Sequence, residues 1–314
     1  MSDATFPFGG IYAATICPLD ASGALDAEAL HAHHAAVLAT EGMAGLLVNG
    51  HAGENFALER QELSEVVRTA RSVAGTGHKV VAGINCERSD IAARMAEDAA
   101  AAGADAVMVF PPFSWALGAD DRAIITHHRM IAVAAGVPMM LFQGAVGSGK
   151  TAFRPEVLAR LLEIETIVGI KEGSWETAAY DATRRLTRRL RPDVAVMASG
   201  DEHLFPCFAL GSDGSLVSLA AVVPELIVAL DRAVARGDMA AGRALHERLY
   251  LLGRIVYGAP GHLATLRLKT CLHLLGRLAS TRCRPPVDTL PETEVARLRE
   301  ALAAAGLLRA GSPA

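Results

Sequence analysis

Eight short apolar runs recur along the chain and alternate with longer amphipathic stretches. Each run is almost continuously apolar, which is typical of strands that are buried on both faces of a parallel sheet. The predicted strands cover residues 11–17, 45–49, 79–84, 106–110, 138–142, 167–170, 194–199 and 214–219.

The stretches between these runs carry apolar residues at helical spacing. Several of them begin at Asp or Pro, which are favoured at the N-cap and in the first turn of a helix. Successive strands are separated by the length of one helix with its connections, so we predict repeated βα units. The predicted helices cover residues 26–40, 59–73, 90–102, 121–135, 155–162, 175–190 and 224–236.

The βα units of residues 1–236 predict an α/β fold, a closed (β/α)8 TIM barrel, with an open doubly wound sheet as the alternative. After residue 236 the pattern is wholly helical, over about 238–257, 262–276 and 291–305. We interpret residues 237–314 as a C-terminal helical extension of the same domain, because no low-complexity linker divides the chain. In such a barrel, chemistry lies at the C-terminal ends of the strands and in the loops that follow them.

The composition argues against several classes of function. Of the 314 residues, 51% are hydrophobic, and the net charge of −4 offers no basic surface to nucleic acid. No apolar run approaches the roughly 20 residues that cross a bilayer, and residues 1–10 lack the features of a secretory signal. The five cysteines are scattered, as in a protein with reduced thiols. We therefore expect a cytoplasmic protein with no nucleic-acid or membrane partner.

The histidines do not predict a metal site. His31, His33 and His34 fall on one predicted helix, and His127 and His128 fall on another. At these spacings they do not converge on a metal ion together with cysteine or carboxylate ligands. We interpret both groups as solvated helix faces and expect neither a metal nor another cofactor.

Residues 144–151 read GAVGSGKT and match the G-x-x-x-x-G-K-[ST] pattern of a phosphate-binding loop. In such a loop the helix starts at the Gly-Lys step, so that its N-terminus faces the phosphates. Here Pro155 falls within the first turns of that helix and would break its hydrogen-bond ladder, whereas it suits the first position of a later helix. A nucleotide-binding enzyme is therefore the remote alternative. We interpret these glycines as flexibility and room at a pocket mouth, and Lys150 as a solvated charge.

A single lysine, Lys171, directly follows the sixth apolar run. Burial at the end of a strand disfavours the charged ammonium and lowers the lysine pKa toward that of a neutral amine. A neutral amine at the mouth of a barrel is what a Schiff-base nucleophile requires. The structural alternative is an ion pair in which Glu172 or Glu54 is the partner.

Several segments together resemble one enzyme family. VNGHAGENFAL (48–58) looks like the G-x-x-G-E loop after its second strand, and VGIKEGS (168–174) resembles the segment that carries its Schiff-base lysine. Residues 198–226 match its Gly-Asp followed by Gly-x-x-Gly-x-x-Ser, and LKTCLHLLG and RPPVDTL resemble its C-terminal helices. From residue 10 to about residue 307, the chain is similar to the dihydrodipicolinate synthase / N-acetylneuraminate lyase family.

The resemblance implies a metal-free class I lyase on a (β/α)8 barrel, commonly a homotetramer formed as a dimer of dimers. Lys171 would condense with the ketone of a 2-oxo acid such as pyruvate, and the iminium would stabilise a carbanion or let a hydroxyl leave. Backbone amides near Ala52 and Gly53 would hold the substrate carboxylate, since glycines let the backbone approach an anion closely.

The other residues at the pocket mouth leave alternatives open. Phe113 and Trp115 either line the pocket or pack between subunits. Asp201 follows the seventh run, where we interpret it as the N-cap of the next helix rather than as a pocket residue, and Ser218 is similarly ambiguous. None of the tyrosines lies at the catalytic end of a predicted strand.

Three sites depart from the family pattern. His51 and Ala52 replace two hydroxyl residues, and His51 either binds a carboxylate or transfers a proton, or merely fills the loop. Phe142 and Gln143 replace a Tyr-Asn pair, so protons must be relayed instead by water, the substrate, His51, a water held by Gln143 or a group that the sequence does not identify. Gly147 stands where dihydrodipicolinate synthases carry an arginine for the second substrate.

These departures argue against dihydrodipicolinate synthase activity. They favour an aldolase or dehydratase that acts on a pyruvate-type or sugar-derived 2-oxo acid through Lys171. A relative that binds a 2-oxo acid without catalysis is the alternative, although a binder needs no desolvated amine. The predicted catalytic residues are Lys171, His51 and Gln143, and the predicted substrate contacts are Ala52, Gly53, Glu54, Phe142, Phe113 and Ser218.

Overall fold

The computed structural model describes residues 6–308, in which eight parallel strands close into a barrel in chain order. The first strand pairs with the second and also with the eighth, so the sheet has no open edge. The predicted closed (β/α)8 barrel is confirmed, and the open doubly wound sheet is excluded. The strands are β1 (Gly10–Ala14), β2 (Met43–Val48), β3 (Lys79–Ile84), β4 (Ala106–Val109), β5 (Met139–Gln143), β6 (Ile167–Glu172), β7 (Ala195–Ala198) and β8 (Gly214–Val217).

Helices cover the outside of the barrel, and their starts follow local sequence signals. Asp26, Asp120 and Asp238 each accept a hydrogen bond from the backbone N–H three residues later, as N-caps do. Pro155 and Pro224 are the first residues of their helices. The helices are α1 (Ala27–Leu38), α2 (Arg60–Ala74), α3 (Ser89–Ala101), α4 (Asp121–Ala135), α5 (Pro155–Leu161), α6 (Thr177–Leu190), α7 (Leu204–Ala209), α8 (Pro224–Ala235), α9 (Met239–Val256), α10 (Ala264–Leu274) and α11 (Glu292–Ala304).

Side chains of each strand alternate between the barrel interior and the layer beneath the helices. Large residues such as Tyr12, Met108, Phe110 and Met140 fill the interior, and each is at most 1% exposed. The interior is therefore a packed core, and a ligand must bind at an end of the barrel.

The observed elements differ from the predicted ones mainly at their ends. Strand β6 is longer than predicted and continues through Lys171 to Glu172. Helix α7 has no counterpart among the predicted helices, because it spans only six residues and contains Pro206. Short 3-10 turns follow five of the strands, at His51–Gly53, Phe113–Ala116, Gly149–Thr151, Asp201–His203 and Leu219–Ala221. Within residues 6–308, no helix is both long and apolar enough to cross a membrane.

The C-terminal helices are joined to the barrel through α10, most of which is buried. Lys269 in α10 forms a buried ion pair with Glu54, with 2.5 Å between Nζ and Oε2. Arg284, in the segment after α10, forms a second ion pair with Glu62 of α2. Both contacts hold the extension against the segment that follows β2. The predicted division after residue 236 falls between α8 and α9, and residues 309–314 lie outside the described residues.

The histidines of α1 and α4 mostly lie inside the protein, so the prediction of solvated helix faces is wrong for them. Burial lowers the pKa of His33 to about 4, so the ring is neutral. His34 Nε2 lies 3.2 Å from Thr15 Oγ1. A neutral imidazole of this kind packs beneath a helix much as an apolar side chain does. The buried rings are those of His33, His34, His127 and His128.

The loop after β5 does not have the structure of a phosphate-binding loop. Its Gly-Lys step lies in the 3-10 turn Gly149–Thr151, and the next helix begins only at Pro155. Lys150 pairs at 3.5 Å with Asp121. A Cβ on Gly149, whose φ is +62°, would lie 2.3 Å from the carbonyl oxygen of Ala116. This glycine therefore permits close packing rather than flexibility, and none of residues 144–151 lines the cavity described below.

Candidate active site

Lys171 lies at the C-terminal end of the barrel and opens on a cavity there. The residue is 8% exposed, and its Nζ lies 5.5 Å from the ring centre of Phe142 and 5.7 Å from that of Phe110. Phe142 is its partner in the register between β5 and β6. Its chain neighbour Glu172 points to the other face of the strand, as the pleat requires.

The environment of Lys171 favours loss of its charge. Burial lowers the pKa of Lys171 to about 8, although the nearby Asp201 acts in the opposite direction. Neither of the two ion pairs considered from the sequence is formed. Glu54 is bound to Lys269, and Glu172 accepts a hydrogen bond from Ser174. With this pKa, roughly one-tenth of the amine is neutral at pH 7, and the neutral form is the one that makes a nucleophilic attack.

The cavity beside Lys171 has a volume of about 660 Å³, which suits a small-molecule ligand. Its wall combines aromatic rings with a few polar side chains. The aromatic residues of the wall are Phe56, Phe113, Phe142, Trp175 and Tyr257. The polar residues of the wall, besides Lys171, are His51, Ser199, Asp201, Ser218, His262 and Thr265.

The 3-10 turn after β2 places His51 on the cavity wall. Its imidazole stacks on Phe113 at 5.3 Å and lies 4.5 Å from the ring of Phe110, measured between ring centres. Burial, reinforced by the charge of Lys171, lowers the pKa of His51 to about 4, so the ring is neutral. Its buried Nε2 has no hydrogen-bond partner within residues 6–308.

The residues that follow His51 differ in what they contact: one lines the cavity, and another binds the C-terminal extension. Ala52 lines the cavity, but Gly53 and Glu54 do not. The backbone N–H of Gly53 donates a hydrogen bond of 3.0 Å to the carbonyl of Gly50 and is not directed at a substrate carboxylate. The carboxylate of Glu54 accepts a hydrogen bond from Lys269 instead of facing the cavity. The structure therefore places these two predicted substrate contacts away from the substrate space.

The pleat at the end of β5 separates Phe142 from Gln143. Phe142 lines the cavity, whereas Gln143 lies outside it and is 7% exposed. The Gln143 side chain donates to the carbonyl of Phe153 at 3.2 Å and accepts from the Phe153 N–H at 3.1 Å. Gln143 thus fixes the chain that leaves β5, and a water held by it is no candidate for proton transfer at Lys171.

Asp201 belongs to the cavity wall, and its interpretation as a helix N-cap is wrong. Helix α7 begins at Leu204, and no side chain caps it. Asp201 Oδ1 accepts a hydrogen bond of 2.8 Å from the backbone N–H of Leu219, which follows β8. Burial raises the pKa of Asp201 to about 6. The loops after β7 and β8 together therefore present a carboxyl group toward Lys171.

Residues of the C-terminal extension complete the wall, and sequence reasoning missed them because it considered only strand ends. Tyr257, His262 and Thr265 come from the segment between α9 and α10 and from the start of α10. Thr265 Oγ1 donates a hydrogen bond of 3.2 Å to the carbonyl of His51. The available signal was a short Gly- and Pro-rich loop, YGAPGHL, that carries Tyr and His, since such loops commonly carry function.

Trp175, after β6, is a further wall residue that was not predicted. Its φ is +61°, a left-handed value that is rare for a bulky side chain. Its ring packs edge-on against Tyr257, with 5.2 Å between ring centres. Such strained conformations concentrate at functional sites, where the surrounding structure holds them.

The wall carries the groups that carbonyl chemistry requires. Within residues 6–308, no group of three His, Cys, Asp or Glu side chains is arranged to hold a metal ion. What the wall offers is a weakly basic amine, a carboxyl group, a neutral imidazole and a phenol. An amine with a lowered pKa condenses with ketones, and the other groups can move protons around it.

The chain matches the model of the dihydrodipicolinate synthetase family over residues 7–305. It is 30% identical over 302 residues to the 4-hydroxy-tetrahydrodipicolinate synthase of Acidothermus cellulolyticus, a match that covers 96% of this chain and 93% of that protein. It is 27% identical to the probable 2-dehydro-3-deoxy-D-pentonate aldolase YjhH of Escherichia coli K12, with 96% and 98% covered.

Solved structures share the fold. YagE, a prophage protein of the dihydrodipicolinic acid synthase family from E. coli K12 that was solved with pyruvate, has a TM-score of 0.89 at 24% identity, with 96% of this chain and 100% of that one covered. A monomeric dihydrodipicolinate synthase variant has a TM-score of 0.88 at 24% identity, with 98% and 100% covered. The chain thus belongs to the dihydrodipicolinate synthetase family of lyases, as its sequence motifs predicted.

Proposed function

We propose that this protein is a Schiff-base-forming lyase that acts on a pyruvate-type 2-oxo acid through Lys171. The observation that carries the proposal is a buried lysine amine, with a pKa of about 8, that opens on a cavity at the catalytic end of the barrel. The relatives named as a synthase and an aldolase, and the relative solved with pyruvate, support a substrate of this class.

The chemistry follows from the amine. Neutral Nζ of Lys171 attacks the C2 ketone carbon, and the oxygen leaves as water to give an iminium. When the C3–C4 bond of the bound acid breaks, its electron pair moves into the iminium and forms an enamine. The same electron sink lets a hydroxyl at C4 leave after loss of a C3 proton. The site is thereby suited to aldol cleavage or to dehydration.

The polar side chains of the cavity wall favour a substrate that carries hydroxyl groups in addition to its 2-oxo acid group. Ser199, Ser218 and Thr265 supply hydroxyls, and Asp201 supplies a carboxyl group that can accept hydrogen bonds. Gly147 replaces the arginine that the family resemblance predicts for a dihydrodipicolinate synthase. These features favour a sugar-derived 2-oxo acid as the substrate of an aldolase or dehydratase.

Borohydride trapping tests the proposal directly. Incubation with pyruvate or with sugar-derived 2-oxo acids, followed by reduction, is expected to add the acid covalently to Lys171, as located by peptide mass spectrometry. Lys171→Ala should abolish the adduct, and Lys150→Ala, on the surface loop after β5, should leave it unchanged. A wild-type protein that stays unmodified with every 2-oxo acid tried would overturn the proposal.

A non-catalytic 2-oxo-acid binder is the second candidate, because Phe142 occupies the position at which the family resemblance predicts a phenol. The two candidate functions predict different effects of the Lys171→Ala substitution. A binder would keep its affinity for pyruvate in Lys171→Ala and would turn over no substrate. A lyase would lose both the adduct and turnover in that variant.

We further propose a homotetramer, formed as a dimer of dimers, in the cytoplasm. All five cysteines are free thiols, which fits a reducing compartment. Large apolar side chains are exposed near the cavity mouth, and an interface would remove them from water. These side chains are Phe56, 58% exposed, Phe113, 51% exposed, and Leu117, 95% exposed.

A further inference from the structure

The position from which the family resemblance predicts a proton-relaying phenol is taken by Phe142, yet the cavity does contain a phenol. Tyr257, at the end of α9, lines the same cavity as Lys171. We propose that Tyr257 is a catalytic residue of the Schiff-base reaction, and that it carries protons between Nζ of Lys171 and the substrate oxygen in place of a tyrosine on β5. The inference rests on the proposed function.

The first observation is the state of the Tyr257 hydroxyl. Its Oη is buried and has no hydrogen-bond partner of good geometry within residues 6–308, although Asp201 and Ser218 are its close neighbours. An unpartnered buried hydroxyl costs stability, and such groups in native proteins call for an explanation. Asp201 and Ser218, which lie beside Oη, both line the cavity, so a ligand oxygen bound next to them would supply the missing partner.

The second observation is how firmly the ring is held. Trp175 packs edge-on against Tyr257 at 5.2 Å and keeps a left-handed backbone, with φ +61°, in doing so. Arg267, 2% exposed, donates hydrogen bonds to the carbonyls of Val256 at 3.1 Å and of Gly258 at 2.5 Å. The residues on both sides of Tyr257 are thereby clamped by a buried guanidinium. A strained tryptophan and a buried arginine thus fix one phenol, which is the support that a preorganised catalytic group needs.

The third observation is the electrostatic link to the nucleophile. Burial lowers the pKa of Lys171, but the charge of Asp201, a neighbour of both Lys171 and Tyr257, favours the protonated form of each. Burial is the larger cause for Tyr257 and raises the pKa of its phenol well above the ordinary value. The phenol therefore enters the reaction protonated, as a donor. Asp201 is held by the backbone N–H of Leu219 and is placed to stabilise positive charge on Nζ.

The protons of iminium formation balance around Tyr257. As neutral Nζ forms its bond to C2 with its lone pair, the phenol donates its proton to the C2 oxygen, and the phenolate regains one from Nζ to leave a neutral carbinolamine. The phenol then protonates the C2 hydroxyl, whose bond to C2 breaks as water leaves and the Nζ lone pair forms the iminium. The phenolate is reprotonated from solvent, which holds the proton that Lys171 lost on becoming neutral, so the sum from the ammonium and the ketone is one iminium and one water. No oxidant, reductant or co-reactant is needed.

His51 is the rival for this role, since its Nε2 is also buried and without a partner in the described part of the chain. Its surroundings differ from those of Tyr257. The imidazole packs among the rings of Phe110, Phe113 and Phe142, and burial lowers its pKa to about 4. A neutral imidazole in this position suits recognition of the substrate carboxylate or chain better than repeated proton transfer beside Nζ.

The test uses pyruvate as the probe, so that the natural substrate need not be known. Lys171 enamine formation exchanges the methyl protons of pyruvate with D2O, and NMR measures the rate of this exchange. Tyr257→Phe is expected to slow the exchange roughly 100-fold, a typical loss for a general acid–base group. Tyr250→Phe, the same change in the preceding helix α9 at a residue that is 45% exposed, should leave the rate unchanged. An exchange rate in Tyr257→Phe within about a factor of 2 of wild type would overturn the inference.

Stability separates a catalytic phenol from a structural one. Because Asp201 and Ser218 lie beside Oη without forming a hydrogen bond of good geometry, Tyr257→Phe should change the melting temperature little, whereas loss of a structural hydroxyl would lower it. A clearly lower melting temperature in this variant would also count against the inference.

Borohydride trapping distinguishes a failure of the proposed Schiff-base function from a failure of the proposed role of Tyr257. At long incubation, Tyr257→Phe should still trap pyruvate on Lys171, because the nucleophile remains. No adduct in the wild type would defeat the proposed function itself. If the wild type forms the adduct but Tyr257→Phe exchanges the pyruvate methyl protons as fast as the wild type, only the role of Tyr257 is contradicted. The same holds if this exchange is slow in His51→Asn and in no other variant.

Discussion

Lys171 and Glu172 are neighbours on β6 whose side chains point to opposite faces of the strand. Burial disfavours the charged form of both, so the pKa of Lys171 falls to about 8 and that of Glu172 rises to about 7. Lys171 faces the cavity, where a neutral amine can act as a nucleophile. Glu172 faces the helices, where Ser174 Oγ donates a hydrogen bond of 2.9 Å to its carboxyl group. Burial thus shifts the pKa values of two adjacent side chains in opposite directions.

Glu172→Gln should make the folded protein less sensitive to pH. Since the pKa of Glu172 rises from 4.5 to about 7 on folding, the native state holds this proton more tightly than the unfolded state does. The stability that results is present below about pH 4.5 and is lost as the pH rises through about 7. At about 1.4 kcal/mol for each pH unit, the wild type should lose on the order of 3 kcal/mol over this window. The glutamine variant carries no titrating group there and should lose much less.

Urea denaturation at about pH 5 and about pH 8 measures this difference. Glutamine can keep the hydrogen bonds to Ser174 and Thr183 that the protonated carboxyl makes, so the comparison isolates the charge. An equal loss of unfolding free energy in both proteins between the two pH values would contradict the role of Glu172.

At the scale of elements, the loop after β2 depends on a helix that lies far away along the chain. Lys269 of α10 is fully buried and forms an ion pair with Glu54, while the backbone N–H of Arg284 donates to the other carboxylate oxygen at 3.0 Å. Thr265 of α10 also holds the carbonyl of His51. The C-terminal extension therefore positions the turn that carries His51 and Ala52 on the cavity wall.

Lys269→Met should destabilise the protein by about 3–5 kcal/mol, because it leaves the buried carboxylate of Glu54 without a counter-charge. The double variant Glu54→Gln with Lys269→Met should recover much of that loss. Denaturant unfolding measures both, and the affinity for pyruvate should fall in the single variant as the turn shifts.

The exposed pair of Arg60 and Asp98 provides the control, since its side chains are 52% and 32% exposed. Arg60→Met should change stability little, as is usual for a surface ion pair. If Lys269→Met were no more destabilising than Arg60→Met, the pair of Lys269 with Glu54 would not hold the loop.

At the scale of the molecule, the closed barrel leaves no sheet edge free for association, so any assembly must use helices and loops. The exposed apolar side chains Phe56, Phe113 and Leu117 lie in the loops and turns that follow β2 and β4, on the catalytic side of the barrel. Phe56 and Phe113 also pack edge-on at 6.2 Å. An interface at this position would cover the cavity mouth as well as the apolar surface.

Sedimentation is expected to give an assembly of four times the 32.9 kDa chain mass. Leu117→Asp places a charge at the most exposed of these residues and should shift the population toward smaller species, while trapping at Lys171 is retained. A wild-type monomer at micromolar concentration would contradict the tetramer. The similar fold of a monomeric dihydrodipicolinate synthase variant shows that this fold alone does not require assembly.

Local pattern sufficed for every strand, for every helix except α7, and for the position of Lys171. Burial on both faces makes a strand continuously apolar, and a lysine at the end of such a run must lie at the catalytic end of the barrel. Local pattern did not predict the direction of each side chain, because nearby residues of a strand or turn point to different sides. Gln143 directly follows the cavity residue Phe142, and Glu54 comes two residues after the cavity residue Ala52. Their side chains nevertheless bind Phe153 and Lys269.

The sequence by itself determined the (β/α)8 barrel, the family and the place of Lys171 at the catalytic end of the barrel, since each depends on short-range periodicity or on residues adjacent in the chain. Only the tertiary structure decided which groups surround that lysine. Asp201 reaches it from the loop after β7, and Tyr257 and Thr265 reach the same cavity from the C-terminal extension. The physical reason is that these contacts join residues far apart in the sequence. Folding brings them together, and neither of the two segments carries a local pattern that indicates the contact.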